Sequence, residues 1–184
     1  MNADVIIQVL DWARSHYFGK YRGVVSDNSD PTSRGRLKVR VPSVLGELEL
    51  WAMPCVPYAG KGVGFYSLPE PGTGVWVEFE AGDPSYPVWT GFFWADGELP
   101  DSSGAPVKIW KTDSLTIRLD DNADELLIQN TADSKITIGS DVKTESGQST
   151  HAVGSQGVVS EQGIHKVEVT NTSVKVNNGA LEVK

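Results

Sequence analysis

Apolar and polar positions alternate in three different ways along this chain. From Asp4 to Tyr17 the apolar residues Ile6, Val9, Leu10, Ala13 and Tyr17 line one side of a 3.6-residue period. That spacing predicts a short amphipathic helix ending near Gly19. Its stripe is expected to cap the chain's own barrel, with docking on a partner as the alternative. Short β-type runs follow at 21–25, 37–41, 48–53, 64–66, 75–79 and 87–92, separated by Pro, Gly and Asp turn residues. Leu37, Val39 and Val41 share one side of their run, and Arg36, Lys38 and Arg40 share the other. Runs this short and regular predict a closed barrel of five or six strands.

The third pattern starts at Val107. Apolar residues stand two apart in successive sets: Leu115, Ile117 and Leu119; Leu126 and Ile128; Ile136 and Ile138; Val167 and Val169; Val174 and Val176; Leu181 and Val183. Polar turns at 120–124, 130–134 and 177–179 separate them. The stretch 143–163 is weakly patterned, and its path stays open at this level.

Composition turns the change of pattern into a domain boundary. All ten prolines lie at or before Pro106 and all sixteen aromatic residues at or before Trp110. The organisation expected is a helix over 1–18, a barrel over 19–94, a linker over 95–106 and a second β domain over 107–184, all-β apart from the helix. The formal charge of −8 is unevenly shared, −2 over residues 1–94 and −6 over 95–184. In 184 residues there is room for one sizeable core and none for a large multidomain enzyme. No run approaches the ~20 apolar residues that span a bilayer. Asp4 ahead of the first apolar run weighs against a cleaved secretory signal.

Strands with one thin apolar face and no aromatic side chains cannot fill a globular interior by themselves. The thirteen residues of the third pattern would gain roughly 2 kcal/mol each from full burial, which a lone extended chain forfeits. An obligate oligomer follows as the expectation, with those thirteen side chains packed around a shared axis. Three copies suit the composition, because small aliphatic side chains can meet at a narrow three-fold axis where Phe or Trp would not fit. An ordinary second β-sandwich is the alternative.

Several linked motifs in the first half resemble a known family. They are Gly35-Arg36-Leu37-Lys38-Val39-Arg40-Val41-Pro42, Trp51-Ala52-Met53-Pro54, Leu68-Pro69-Glu70-Pro71-Gly72, and Val75 to Glu80 with Gly74, Gly82-Asp83-Pro84 and Pro87. Together they look like the OB-fold domain of phage baseplate assembly protein V, a family that includes the VgrG proteins and the central spikes of contractile tails. The resemblance covers about 19–94, and its motif residues mark a fold, with no reactive group among them. Gly72 and Gly74 are expected in tight turns and Gly82-Asp83-Pro84 in a hairpin connection.

More loosely, the stretch from Trp110 to Asp121 resembles the start of the trimeric triple-stranded β-helix that follows the OB domain in this family. The resemblance implies a non-enzymatic homotrimeric spike in a virion tail baseplate or a contractile injection particle. Its OB end would dock on a baseplate hub protein, and its needle would puncture the target cell envelope. Some relatives end in a His-x-His pair that binds iron. This chain has no such pair and ends in Val183-Lys184, so the resemblance implies a separate PAAR-type tip protein.

Other chemistry is thin. His16, His151 and His165 are expected to face solvent, although a ring of three His151 or three His165 could hold an axial metal. Asp120, Asn122 and Asp124 imitate the opening of a calcium loop, but its sixth position is Glu125 and its twelfth Thr131, so a polar turn is expected. Glu47 with Glu49, and Glu78 with Glu80, stand two apart and read as solvated strand faces. The linker is too short for an inserted enzyme domain. No catalytic residue, metal ligand or cofactor is expected. Cys55, the only cysteine, reads as a buried structural thiol. OB folds also bind single-stranded nucleic acid or sugars, and Arg34, Arg36, Lys38 and Arg40 form a basic stretch, but the acidic balance opposes phosphate binding.

Overall fold

Strict alternation buries every second side chain along Leu37–Arg40 and Gly74–Phe79. The computed structural model describes residues 3–101 and 104–183, and contacts divide the chain into two units, 1–99 and 100–184. The first unit runs α1 (Ala3–Ser15), β1 (Tyr21–Asp27), β2 (Leu37–Arg40), α2 (Pro42–Leu45), β3 (Glu49–Pro54), β4 (Ala59–Gly60), β5 (Val63–Gly64), β6 (Gly74–Phe79) and β7 (Pro87–Phe93). Five strands close into a barrel in the order β1-β2-β3-β7-β6. Among the described residues the one parallel pairing joins β3 to β7 through Met53–Val88 and Pro54–Trp89. Val25, Leu37, Val39, Val41, Ala52, Val75, Val77, Phe79 and Trp89 fill the interior. The expected alternation of Leu37, Val39 and Val41 holds, all three being fully buried.

Two expectations for the elements of this unit need correction. The run at 64–66 is not a barrel strand: residues 63–64 pair with 59–60 in a small hairpin set apart from the barrel sheet. Helix α1 forms, but its stripe does not cap the barrel, since none of its described residues is buried and Ile6 and Leu10 stay 43% and 46% exposed. The barrel is already closed and filled, which leaves no apolar mouth for a helix to cover. The chain is fastened just past the helix instead. The Tyr17 amide donates to the Gly82 carbonyl at 2.8 Å, and Tyr17, Tyr21 and Phe79 cluster at 5.7–6.2 Å, with Tyr17 and Tyr21 edge to face and Phe79 tilted against both.

The second unit contains β8 (Val107–Lys111), β9 (Leu115–Asp120), β10 (Glu125–Asn130), β11 (Ser134–Ile138), β12 (Val142–Ser146), β13 (Ser149–Gly154), β14 (Gly157–Gln162), β15 (His165–Val169), β16 (Val174–Val176) and β17 (Leu181–Val183). They form one ten-stranded sheet in strict sequence order, antiparallel throughout. Residues able to take positive φ make the turns: Asp124, Asp133, Gly147, Gly163, Asn177 and Asn178. No second sheet covers this one among the described residues, so the β-sandwich alternative is not what the chain builds. The weakly patterned stretch 143–163 is occupied by β12, β13 and β14.

Candidate assembly interface

Antiparallel register places side chains from successive strands in rows across one face of the ten-stranded sheet. From β9 to β17 the first row is aliphatic: Leu119, Leu126, Ile138, Val142, Val153, Val158, Val169, Val174 and Val183 face one another pair by pair, and Lys108 closes the row on β8. A second row lies beside it, Trp110, Ile117, Ile128, Ile136, Thr144, His151, Ser160, Val167, Val176 and Leu181. A third row is mostly polar and borders the face. It runs from Leu115 through Asn130, Ser134, Ser146, Ser149 and Gln162 to His165. There the Ser134 and Ser146 hydroxyls lie 2.9 Å apart, and the Ser149 hydroxyl bonds the Gln162 side chain.

All thirteen residues singled out by the two-residue period therefore lie on one face of one sheet, twelve of them in the two apolar rows and Leu115 at the border. Sequence reasoning missed Val142, Val153 and Val158, which continue the first row through the weak stretch. The signal was present in the turn residues Gly147 and Gly154 to Gly157, which set two tight hairpins and hence the register of the valines between them.

This face is open in the single chain. Ten of the thirteen are exposed, from 37% at Ile128 to 61% at Leu181, while Ile117, Leu126 and Val176 are half-buried. The only buried residue described in this unit is Ser173. The opposite face sets ion pairs among the apolar residues Ile109, Leu127, Ala152 and Val159: Glu145 takes Lys135 at 2.9 Å and Lys143 at 2.8 Å, Lys166 lies 3.8 Å from Glu161 and 3.7 Å from Glu168, and Lys175 lies 3.7 Å from Glu182. Lys143 and Lys135 hold the Glu145 carboxyl below its ordinary pKa. On β15 the usual order is inverted, with Val167 and Val169 more exposed than Lys166 and Glu168. A sheet with its charges paired on one side and its aliphatics bare on the other has a face suited to being covered.

In the barrel, each motif residue has a mechanical task. Asp30 organises the loop between β1 and β2. Its carboxylate accepts from the Thr32 amide and hydroxyl, from the Arg34 and Arg36 amides, and from the Arg36 guanidinium at 3.0 and 2.8 Å. The Arg36 hydrogen bond is the main reason this carboxyl titrates far below the usual range. Arg36 also lies over the Trp51 ring, and the Trp89 indole donates to the Gly35 carbonyl at 3.1 Å.

Pro42 opens α2. Pro54 pairs with Trp89 where β3 meets β7, and the Pro69 carbonyl accepts from the Asn28 side chain. Gly72 takes φ +96° and its amide bonds Val25. Gly74 is not a turn glycine: a Cβ there would sit 2.6 Å from the Phe93 ring, so it is needed for close approach. In the connection from β6 to β7, Gly82 has φ +83° beneath Phe18. Asp83 accepts from the Ser85 amide ahead of Pro84, and that bond lowers its pKa.

A cleft of about 610 Å³ lies between the β1–β2 loop and the excursion after β3, lined by Arg34, Met53, Val56, Tyr58, Tyr66 and Trp89 among others. Of the basic stretch, Arg36 is held by Asp30 and Lys38 lies 3.9 Å from Glu49. Trp89 is only 4% exposed, whereas Tyr58 and Tyr66 are 59% and 77% exposed. Cys55 is exposed, contrary to the buried thiol expected. Its amide still bonds the Trp89 carbonyl, but the chain leaves the barrel there and the thiol points away from the filled interior.

Asp120 commits its carboxylate to its own turn, accepting from the Asn122 and Ala123 amides, with Arg118 at 2.9 Å; the Ala123 bond leads in lowering its pKa. His16 does not simply face solvent: it is half-buried, stacks on Trp12 and bonds the Trp12 carbonyl at 2.8 Å. Glu78 pairs with Lys20. Among the described residues, no three His, Cys, Asp or Glu side chains gather to hold a metal ion, and no helix is long and apolar enough to cross a membrane.

No curated protein matches the chain. The barrel strands and the residues that fasten them coincide with the match to a family described as the Type VI secretion system/phage-baseplate injector OB domain, which spans residues 21–94. Over these residues the barrel is similar to the OB domains of phage baseplate assembly protein V and VgrG-like injector proteins.

Proposed function

We propose that the chain is the homotrimeric central spike of a contractile phage tail or related injection machine. The observation that carries this reading is the bare aliphatic face of the second unit, two rows wide and set against an ion-paired opposite face. Three copies would turn these faces inward around a common axis as a triple-stranded β-helix and leave the paired charges outside. The barrel would seat on the baseplate hub. A separate PAAR-type protein would form the tip, and the needle would breach the target envelope. The work is mechanical: sheath contraction supplies the force, and a dry aliphatic interior with continuous backbone hydrogen bonding carries it. No catalytic step is involved.

The match of the barrel to an injector OB domain supports a structural part in a baseplate or secretion-machine injector. The composition supports three copies, since Val, Ile and Leu dominate the two rows and the single aromatic, Trp110, stands at their β8 end. Sedimentation equilibrium on the purified full chain tests the reading. A mass three times the 19.9 kDa of one chain is expected; a monomer at micromolar concentration overturns it. A glycan array and a single-strand titration at two salt concentrations test the remaining alternative, an OB-fold sugar- or nucleic-acid-binding module, and no binding is expected in either.

A further inference from the structure

The second row is broken at one level only. Between Ile136 and Val167 three successive positions are polar, Thr144 facing His151 and His151 facing Ser160. His151 Nδ1 and Ser160 Oγ lie 2.8 Å apart, so the pair is pre-formed within one chain. All three side chains are exposed on the otherwise aliphatic face. The first row passes the same level unbroken through Val142, Val153 and Val158. The polar group is thus an island in the apolar face and is separate from its polar border.

We propose that Thr144, His151 and Ser160 form a polar rung that fixes the axial register of the assembled copies, an inference that rests on the trimeric reading above. The first row is nearly uniform, six of its nine aliphatic residues being valine. Copies slipped by one hairpin, two strands, would still bury almost all of it, so aliphatic burial alone distinguishes poorly between aligned and slipped assemblies. The rung removes that degeneracy. In the aligned assembly the three copies bring their polar groups to one level, where His151 Nε2 and the Thr144 hydroxyl can bond across chains. In an assembly slipped by two strands Thr144 of one copy still meets Ser160 of the next, but His151 meets Ile136 or Val167 and the remaining Thr144 and Ser160 meet Ile128 and Val176, so these groups are buried without partners, which is penalised. A polar residue in an apolar seam acts this way in coiled coils, giving up stability for a single register.

The test uses the full chain with Cys55→Ser and a spin label at Glu168→Cys, on the charged face. Pulsed electron spin resonance on the assembled parent should give one narrow inter-label distance. The variant Thr144→Val, His151→Val, Ser160→Val should still assemble, melt at a higher temperature, and show two or more distances, with the parental one falling at least two-fold in share. The conservative variant Thr144→Ser, His151→Gln, Ser160→Thr should keep the single distance. A single unchanged distance in the triple-valine variant overturns the inference while leaving the trimer intact. Failure of that variant to assemble also overturns it, because the rung would then be cohesive instead of selective. A monomeric parent overturns this inference together with the reading beneath it.

Discussion

Ile138→Asp separates folding of the chain from its assembly. Ile138 stands in the first aliphatic row between Leu126 and Val142 and is 43% exposed in the single chain. An aspartate there meets water in a free chain, so the sheet loses little, of the order of the 0.5 kcal/mol typical of surface substitutions. In a closed trimer three carboxylates would lie at one level of a dry interior. At several kcal/mol per unpaired buried charge, the penalty is about 10 kcal/mol per assembly. That is about seven decades in the assembly constant.

The constant scales with the square of the free-chain concentration, so the midpoint should move by about three to four decades, enough to dissociate micromolar samples. Opposing this, the thirteen half-exposed aliphatics retain about 1 kcal/mol each, half the full-burial value, because sheet formation has already covered the rest. Burial in the assembly raises the carboxyl pKa, so the penalty is full at neutral pH and fades as pH falls toward the free-chain value near 4. Sedimentation velocity at pH 7 and pH 4, with far-ultraviolet circular dichroism as the folding control, reads both effects. Thr137→Asp, on the opposite face beside Lys143, should sediment as the parent does. An Ile138→Asp chain that remains a trimer at neutral pH with unchanged melting would refute the argument.

Asp30→Asn should release the β1–β2 loop, because the carboxylate serves Thr32, Arg34 and Arg36 at once. Amide exchange at those residues should rise at least ten-fold, and unchanged protection would count against the clamp. Since the Asp30 pKa is depressed in the fold, its contribution is full above about pH 4 and is lost as pH falls through the lowered value. The melting difference between parent and Asp30→Asn should accordingly shrink on acidification. Gly157→Ala should disrupt the β14–β15 pairing: φ there is +140° and a Cβ would sit 2.0 Å from the Val169 carbonyl oxygen. A loss of about 2–4 kcal/mol is expected in urea unfolding; a variant within 0.5 kcal/mol of the parent would show that the backbone relaxes freely.

Where the sequence could be read, the reason was local. Leu37-Lys38-Val39-Arg40-Val41 advertises its inward face through strict alternation. The prolines and aromatics stop at Trp110, where the barrel's need for bulky filling has already ended. The stretch 143–163 resisted because its middle row is Thr144, His151 and Ser160, so a two-residue hydrophobic period disappears even though the strands are regular. The uncovered helix stripe and the exposed Cys55 were hidden for another reason: both depend on a barrel already closed by nine side chains, a property of the tertiary arrangement that no local window contains. Gly74 looked like a turn residue from its neighbours, and only the Phe93 ring across the strand pair explains it.

Each strand from β8 to β17 bonds only to its neighbours in the sequence, much as repeats stack in a solenoid. The extent of the second unit is therefore adjustable in steps of one hairpin: a pair of strands spliced in or out preserves strand direction and leaves every remaining pairing as it was. The number of strands can change over evolutionary time without redesign of the barrel, and an engineer wanting a longer or shorter sheet could lift out Glu125 to Ile138 as a cassette while leaving Thr144, His151 and Ser160 in place.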